Sequence, residues 1–161
     1  MLDTTMVENK FTLEEQMMAR AISNATKARP RCMPNPWVGA VLVSSDGQTF
    51  DGFTQEFGSG HAETVCLDEA GRKAQGATLY VTLEPCSHSG KTGPCVERII
   101  ESRISRVVIG MKDPDRQVCG EGIKSLQNAG VDVVVGVLED LVAEQLAPYV
   151  HHRNCLLYTS D

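Results

Sequence analysis

His61-Ala62-Glu63, then Pro85-Cys86, then Cys95 are the residues whose types and spacing can do chemistry in this chain. One imidazole and two thiolates make a three-ligand zinc site and leave the fourth tetrahedral position open to water. Zinc lowers the pKa of such a water from about 15.7 towards about 7, so hydroxide becomes available near neutrality. Glu63 stands two residues beyond the imidazole. As a non-ligand it can pass a proton between that water and a leaving amine. Two plainer readings stand beside this one: a structural zinc site, or a helix-capping histidine beside two buried cysteines. A structural site ordinarily wants a fourth protein ligand. His88 is the local candidate, since two of the four histidines lie near the end of the sequence.

The arrangement matches the H-x-E…P-C…C signature of zinc nucleobase deaminases, whose cysteines are normally two residues apart. Here eight residues separate Cys86 from Cys95. The stretch from Thr82 to Cys95, reading Thr-Leu-Glu-Pro-Cys-Ser-His-Ser-Gly-Lys-Thr-Gly-Pro-Cys, resembles the deaminase domain of the bifunctional riboflavin-biosynthesis deaminase/reductase. Pro34-Asn35-Pro36-Trp37-Val38-Gly39-Ala40, Ala77-Thr78-Leu79-Tyr80-Val81, Asp113-Pro114 and the run from Gly120-x-Gly122-Ile123 to Ala129-Gly130 agree in order. The resemblance covers roughly residues 12 to 150.

The resemblance implies Zn2+ held by His61, Cys86 and Cys95, with Glu63 as the catalytic acid and base. It implies a small aminopyrimidine substrate, 2,5-diamino-6-ribosylamino-4(3H)-pyrimidinone 5′-phosphate. Asn35 and Ala62 would contact its ring or sugar, His88 and Lys91 its phosphate, and Asp113 with Asp115 would lie alongside. As plain alternatives, Pro34-Asn35-Pro36 is a rigid turn and Lys91 is a surface lysine. The sequence leaves the family pattern at Thr54, where a histidine is common, and at Gly93, Asp115 and Arg116. An asparagine expected near Ala147 is also missing. These departures bear on substrate identity and not on the zinc chemistry. Rival readings are a related deaminase acting on another aminopyrimidine or purine, an inactive zinc-stabilised partner subunit, and a tRNA-editing enzyme. The presence of Glu63 speaks against the second, because a structural site needs no such carboxylate.

Net charge is −6, with 15 basic residues against 21 acidic ones. That balance disfavours a nucleic-acid partner, which would call for a basic surface, and so disfavours the tRNA enzyme. No apolar run is long enough to span a membrane. Six cysteines in a chain of 161 residues without an apolar export signal read as reduced thiols, so a cytoplasmic protein is expected. Cys32, Cys66, Cys119 and Cys155 are read as incidental. Small deaminases of this kind commonly associate, which points to a homodimer or homotetramer.

The elements that must position these residues follow from periodicity. Thr12-Leu13-Glu14-Glu15 is a capping box, opening a helix with Leu13, Met17, Ala21 and Ile22 on one face and fading near Arg29-Pro30. Val38 to Ser44 and Gln48 to Phe53 read as a hairpin around Asp46-Gly47. His61 opens a helix to Gly71. Strands are expected at Thr78–Leu83, Arg106–Gly110 and Val131–Val137, and helices from Pro94 to Glu101, Gly122 to Ala129 and Glu139 to Leu146. The order α-β-β-α-β-α-β-α-β-α predicts an α/β fold with helices on both sheet faces. The resemblance makes it a cytidine-deaminase-like three-layer α/β/α sandwich with a mixed, mostly parallel five-stranded sheet. Residues 1–11 read as a flexible lead-in, 12–150 as the zinc-dependent deaminase domain, and 151–161 as a tail. Pro148 to Arg153 resembles the family's connection into a reductase domain, which this sequence is expected to lack.

Overall fold

A computed structural model describes residues 11–28, 36–55, 60–87, 95–115 and 118–150. Helix α1 (Leu13–Ala25) continues as a 3-10 turn to Ala28. Strands β1 (Gly39–Val43) and β2 (Thr49–Phe53) follow, then α2 (Ala62–Ala70), β3 (Thr78–Leu83) and α3 (Cys95–Glu101). The chain continues through β4 (Arg106–Met111), α4 (Glu121–Asn128), β5 (Asp132–Val135) and α5 (Glu139–Gln145).

The five strands lie in the order β2-β1-β3-β4-β5. β1 is antiparallel to both neighbours, while β3-β4 and β4-β5 are parallel. Four strands therefore run one way and β1 alone runs against them, which is the mixed sheet expected. Inner strands β3 and β4 are buried almost throughout, whereas edge strand β5 is partly open. That contrast follows from helices covering both faces of a parallel section.

Met18 and Ala21 of α1 pack with Val41, Tyr80 and Val108 on one face of the sheet. Leu42, Leu79, Val81, Val107 and Ile109 point the other way, among Cys66 and Leu67 of α2, Val96 and Ile99 of α3 and Leu126 of α4. Each such buried aliphatic side chain contributes about 1.5–3 kcal/mol. Close approach on the first face depends on Gly39, where an added Cβ would sit 1.8 Å from the Ala21 carbonyl oxygen.

The capping box is present as read, with Thr12 Oγ1 accepting from the Glu15 N–H and Glu15 Oε1 accepting from the Thr12 N–H. The buried face of α1 is in part the one expected: Ala21 is buried, and Met17 and Ile22 pack against the core. Leu13 is 67% exposed, and the buried positions are Met18, Ala21, Asn24 and Ala25. Asn24 is the reason: its amide donates to the Ala40 carbonyl and to Asp51, so a polar residue belongs to the inner stripe. A search for apolar residues alone passes over it. β5 is shorter than expected because Gly136 adopts φ +96 and Leu138 φ +55, turning the chain into α5.

Candidate active site

The site stands at the carboxyl ends of β3 and β4, where open α/β sheets place theirs. β3 delivers Glu84, Pro85 and Cys86, β4 delivers Asp113, and the first turn of α2 brings His61 and Glu63. His61 is the N-cap of α2 but makes no capping hydrogen bond with its side chain, so the imidazole is free for the thiols. Its Nδ1 lies 2.9 Å from Cys95 Sγ and 3.9 Å from Cys86 Sγ. The three donor atoms all lie within 4.8 Å of one another, and no fourth ligand joins them among the described residues.

This donor set fits zinc. Bond lengths of about 2.0–2.3 Å in a tetrahedron put nitrogen and sulfur ligands roughly 3.6 Å apart, and the two imidazole–thiol distances bracket that value. The Cys86 thiol is pulled down to about 4 by the hydrogen bond from the Cys95 thiol, against its own burial, with His61 and the Cys95 main-chain N–H adding to the effect. Cys95 is pushed far up by the Cys86 sulfur it faces and by burial. His61 is raised, chiefly through Cys86. Cys86 is the readier thiolate of the two, and a divalent cation would take the position of a thiol proton between them. At the start of α3 the Cys95 N–H donates to Cys86 Sγ at 3.3 Å.

Beside the trio is a cavity of about 240 Å3 lined in part by Val38, Thr54, Leu83, Asp113, Asp115 and Tyr149, with His61, Glu63 and Cys86 in its wall. Glu63 is 4% exposed. Burial raises its pKa and the nearby imidazole partly opposes this. A carboxyl so placed can hold a proton during a reaction. Ala62 is fully buried in the core and is not among the cavity-lining residues. Its N–H is nevertheless one of the helix-start donors without an intrahelical partner. Asp113 and Asp115 are brought together, with the Asp115 N–H donating to Asp113 Oδ1 at 2.9 Å. Asn35, His88 and Lys91 lie outside the described residues, as do Cys32, Cys155, Gly93 and Arg116. Cys66 is buried and its thiol pKa strongly raised by that burial, in keeping with a packing role.

The sequence pattern of the cytidine and deoxycytidylate deaminase zinc-binding region matches residues 12–111. The chain belongs to this family. Riboflavin biosynthesis protein RibD of Aquifex aeolicus is 46% identical over 132 residues, which is 82% of this chain and 37% of that protein. The solved structure of Acinetobacter baumannii RibD superimposes with a TM-score of 0.82 at 41% identity, over 85% of this chain and 38% of the other. A diaminohydroxyphosphoribosylaminopyrimidine deaminase/5-amino-6-(5-phosphoribosylamino)uracil reductase from Thermotoga maritima gives 0.79 at 45% identity, over 85% and 40%. The chain therefore spans well under half the length of these relatives.

Three residues of this deaminase-family domain escaped the sequence reading as parts of the site. Thr54, noted only as a departure, is 5% exposed and lines the cavity, its Oγ1 accepting from the Val38 N–H at 2.9 Å. Tyr149 reaches the cavity from beyond α5. Glu84 is buried between β3 and Cys86. Its position in Leu83-Glu84-Pro85-Cys86, an acidic residue joining an apolar strand to a metal ligand, was the available signal.

Proposed function

We propose that this chain is a zinc-dependent hydrolytic deaminase of 2,5-diamino-6-ribosylamino-4(3H)-pyrimidinone 5′-phosphate, acting in riboflavin biosynthesis. The observation that carries this is a His61, Cys86 and Cys95 trio opening on a cavity that also holds a buried Glu63. Relatives named for riboflavin biosynthesis, at 40–47% identity, support the substrate. His61, Cys86 and Cys95 would hold the metal, which when bound makes water a nucleophile at neutral pH. Glu63 accepts the proton that the attacking water gives up. It then delivers protons to the ring nitrogen and to the departing ammonia, and burial favours the protonated intermediate form of its carboxyl.

Asp113 and Asp115 offer carboxylate oxygens to the cavity, a match for the amino groups of a donor-rich pyrimidine. Lys91 and His88 would hold the phosphate, with Asn35 on the ring or sugar and the Ala62 N–H on a ring oxygen. Residues 12–150 form the deaminase unit, a cytoplasmic one that associates as a homodimer or homotetramer. A membrane role gains no support, since no helix among the described residues is long and apolar enough to cross a bilayer. A second reading, a related amino heterocycle as substrate, is favoured by Thr54 standing in the cavity wall. Ammonia release from a panel of aminopyrimidines and purines separates the two: preferred turnover of an unphosphorylated base would replace the first reading by the second.

A further inference from the structure

Of the two buried carboxylates among the described residues, Glu63 and Glu84, the proposed reaction uses only Glu63. Glu84 is 6% exposed and touches the cavity. Its Oε1 accepts from the N–H groups of Asp113 and Gly120, each at 3.0 Å. Its Oε2 accepts from Gly122 at 3.0 Å and Ile123 at 3.4 Å. The donors come from two separate segments, the loop after β4 and the start of α4.

Helix capping explains only part of this. The Gly122 and Ile123 N–H groups are orphan donors of the first turn of α4, which any acceptor at that helix start would satisfy. Asp113 belongs to no helix, and its N–H shares Glu84 Oε1 with the N–H of the N-cap Gly120. The Asp113 side chain in turn accepts from the Asp115 N–H, so both cavity aspartates are fastened through an amide that Glu84 holds. The glycines fit the same arrangement. Gly120 takes φ +83, and an added Cβ at Gly122 would sit 2.2 Å from the Pro85 carbonyl oxygen. Only bare backbone lets α4 begin so close to the cysteine loop.

We propose that Glu84 is a positioning residue that locks the Asp113–Asp115 wall and the start of α4 to the loop carrying Cys86, so that the substrate wall and the metal ligand move as one body. Its kinetic consequence rests on the deaminase reading; its mechanical one does not. A buried carboxylate that accepts four N–H groups cannot be replaced by an amide without turning a donor towards donors.

The test compares the wild type with Glu84→Gln and Glu84→Asp as full chains, measuring amide hydrogen exchange with and without added zinc. In the wild type, zinc should slow exchange at Cys95 and also at Asp113, Gly120 and Gly122. In Glu84→Gln, zinc should still protect Cys95, but Asp113 and Gly120 should exchange about tenfold faster or more, the loss of one charge-assisted hydrogen bond. Glu84→Asp, which keeps the carboxylate but is one methylene shorter, should fall between, and carries the same comparison if the glutamine variant does not fold. Zinc protection at Asp113 that is absent in the wild type, or unchanged in both variants, would overturn the proposal. With zinc content equal, KM for the aminopyrimidine should rise at least about tenfold while kcat changes little. A lowered yield of folded protein with unaltered KM would reduce Glu84 to a structural residue. If the wild type releases no ammonia from any substrate, the deaminase reading falls while the exchange comparison still decides the coupling.

Discussion

Three side chains converge from the start of α2, the end of β3 and the start of α3, and each thiol matters differently. Cys86 is the anion of the trio, with its pKa near 4 held down by the Cys95 thiol, His61 and a main-chain N–H. Facing the Cys86 sulfur and buried, Cys95 holds its proton more tightly than an ordinary thiol. Replacing either cysteine by alanine should abolish stoichiometric zinc and lower the melting temperature, because metal binding at such sites is coupled to folding. Metal analysis of Cys86→Ala and Cys95→Ala checks this, and full zinc content in both would end the ligand assignment. Lys91→Ala belongs to the same scale. It should weaken binding of the phosphorylated pyrimidine by about 10- to 150-fold, in line with bonds of roughly 1.5–3 kcal/mol to a charged group. Its dephosphorylated form should be little affected. The clustering of His61, Cys86 and Cys95 was legible because metal chemistry ties residue type to spacing. Tyr149 was not, because nothing local reveals which cavity a chain return will meet, and the place of Glu84 beside Cys86 did not show that its partners come from Asp113 and the start of α4.

At the scale of elements, α1 is seated on the β1–β2 hairpin through two devices. Gly39 leaves no room for a side chain, since its Cβ would meet the Ala21 and Ala25 backbone. Gly39→Ala should therefore cost at least about 1–3 kcal/mol, the usual range for overpacking, read as a fall in unfolding free energy by urea titration. The second device is the pair from Arg20 to Asp51, at 2.8 and 2.6 Å, joined by Asn24. Arg20 and then Asn24 hold the Asp51 carboxyl below its ordinary range, against partial burial. A lowered folded-state pKa means that the stabilisation is present above the unfolded value of about 3.9 and is lost as pH falls through the folded value. The stability gap between wild type and Asp51→Asn should be constant near neutrality and shrink below about pH 4. A gap that widens on acidification would contradict this. Element order and most boundaries were readable from caps, turns and runs of β-branched residues. The inner face of α1 was read only in part, because Asn24 is buried for its hydrogen bonds and Leu13 is exposed at the helix end. The end of β5 was misread because a glycine and Leu138 in left-handed conformations stop a run that is apolar to Val137.

At the scale of the whole molecule, five strands and the helices on their two faces bring α2, β3, β4 and α3 to one rim. The His61, Cys86 and Cys95 trio, the cavity and Glu63 meet there at the carboxyl ends of β3 and β4. Zinc added to the metal-free chain should raise its melting temperature in a concentration-dependent way, as any ligand of the folded state does. The sheet and its crossings were foreseen from the alternation of strands and helices. The cavity was not, since its walls come from residues as distant as Thr54, Asp113 and Tyr149. The measurement that bears most directly on the central claim is ammonia release by the zinc-loaded chain from the diaminopyrimidine ribosyl phosphate, set against Glu63→Gln. The glutamine keeps size and hydrogen bonding but cannot take the proton. The expected result is steady release by the wild type and a fall of about 10²–10⁴-fold in the variant, with equal zinc in both. Wild-type turnover in Glu63→Gln, or no ammonia from the zinc-loaded wild type, would contradict it.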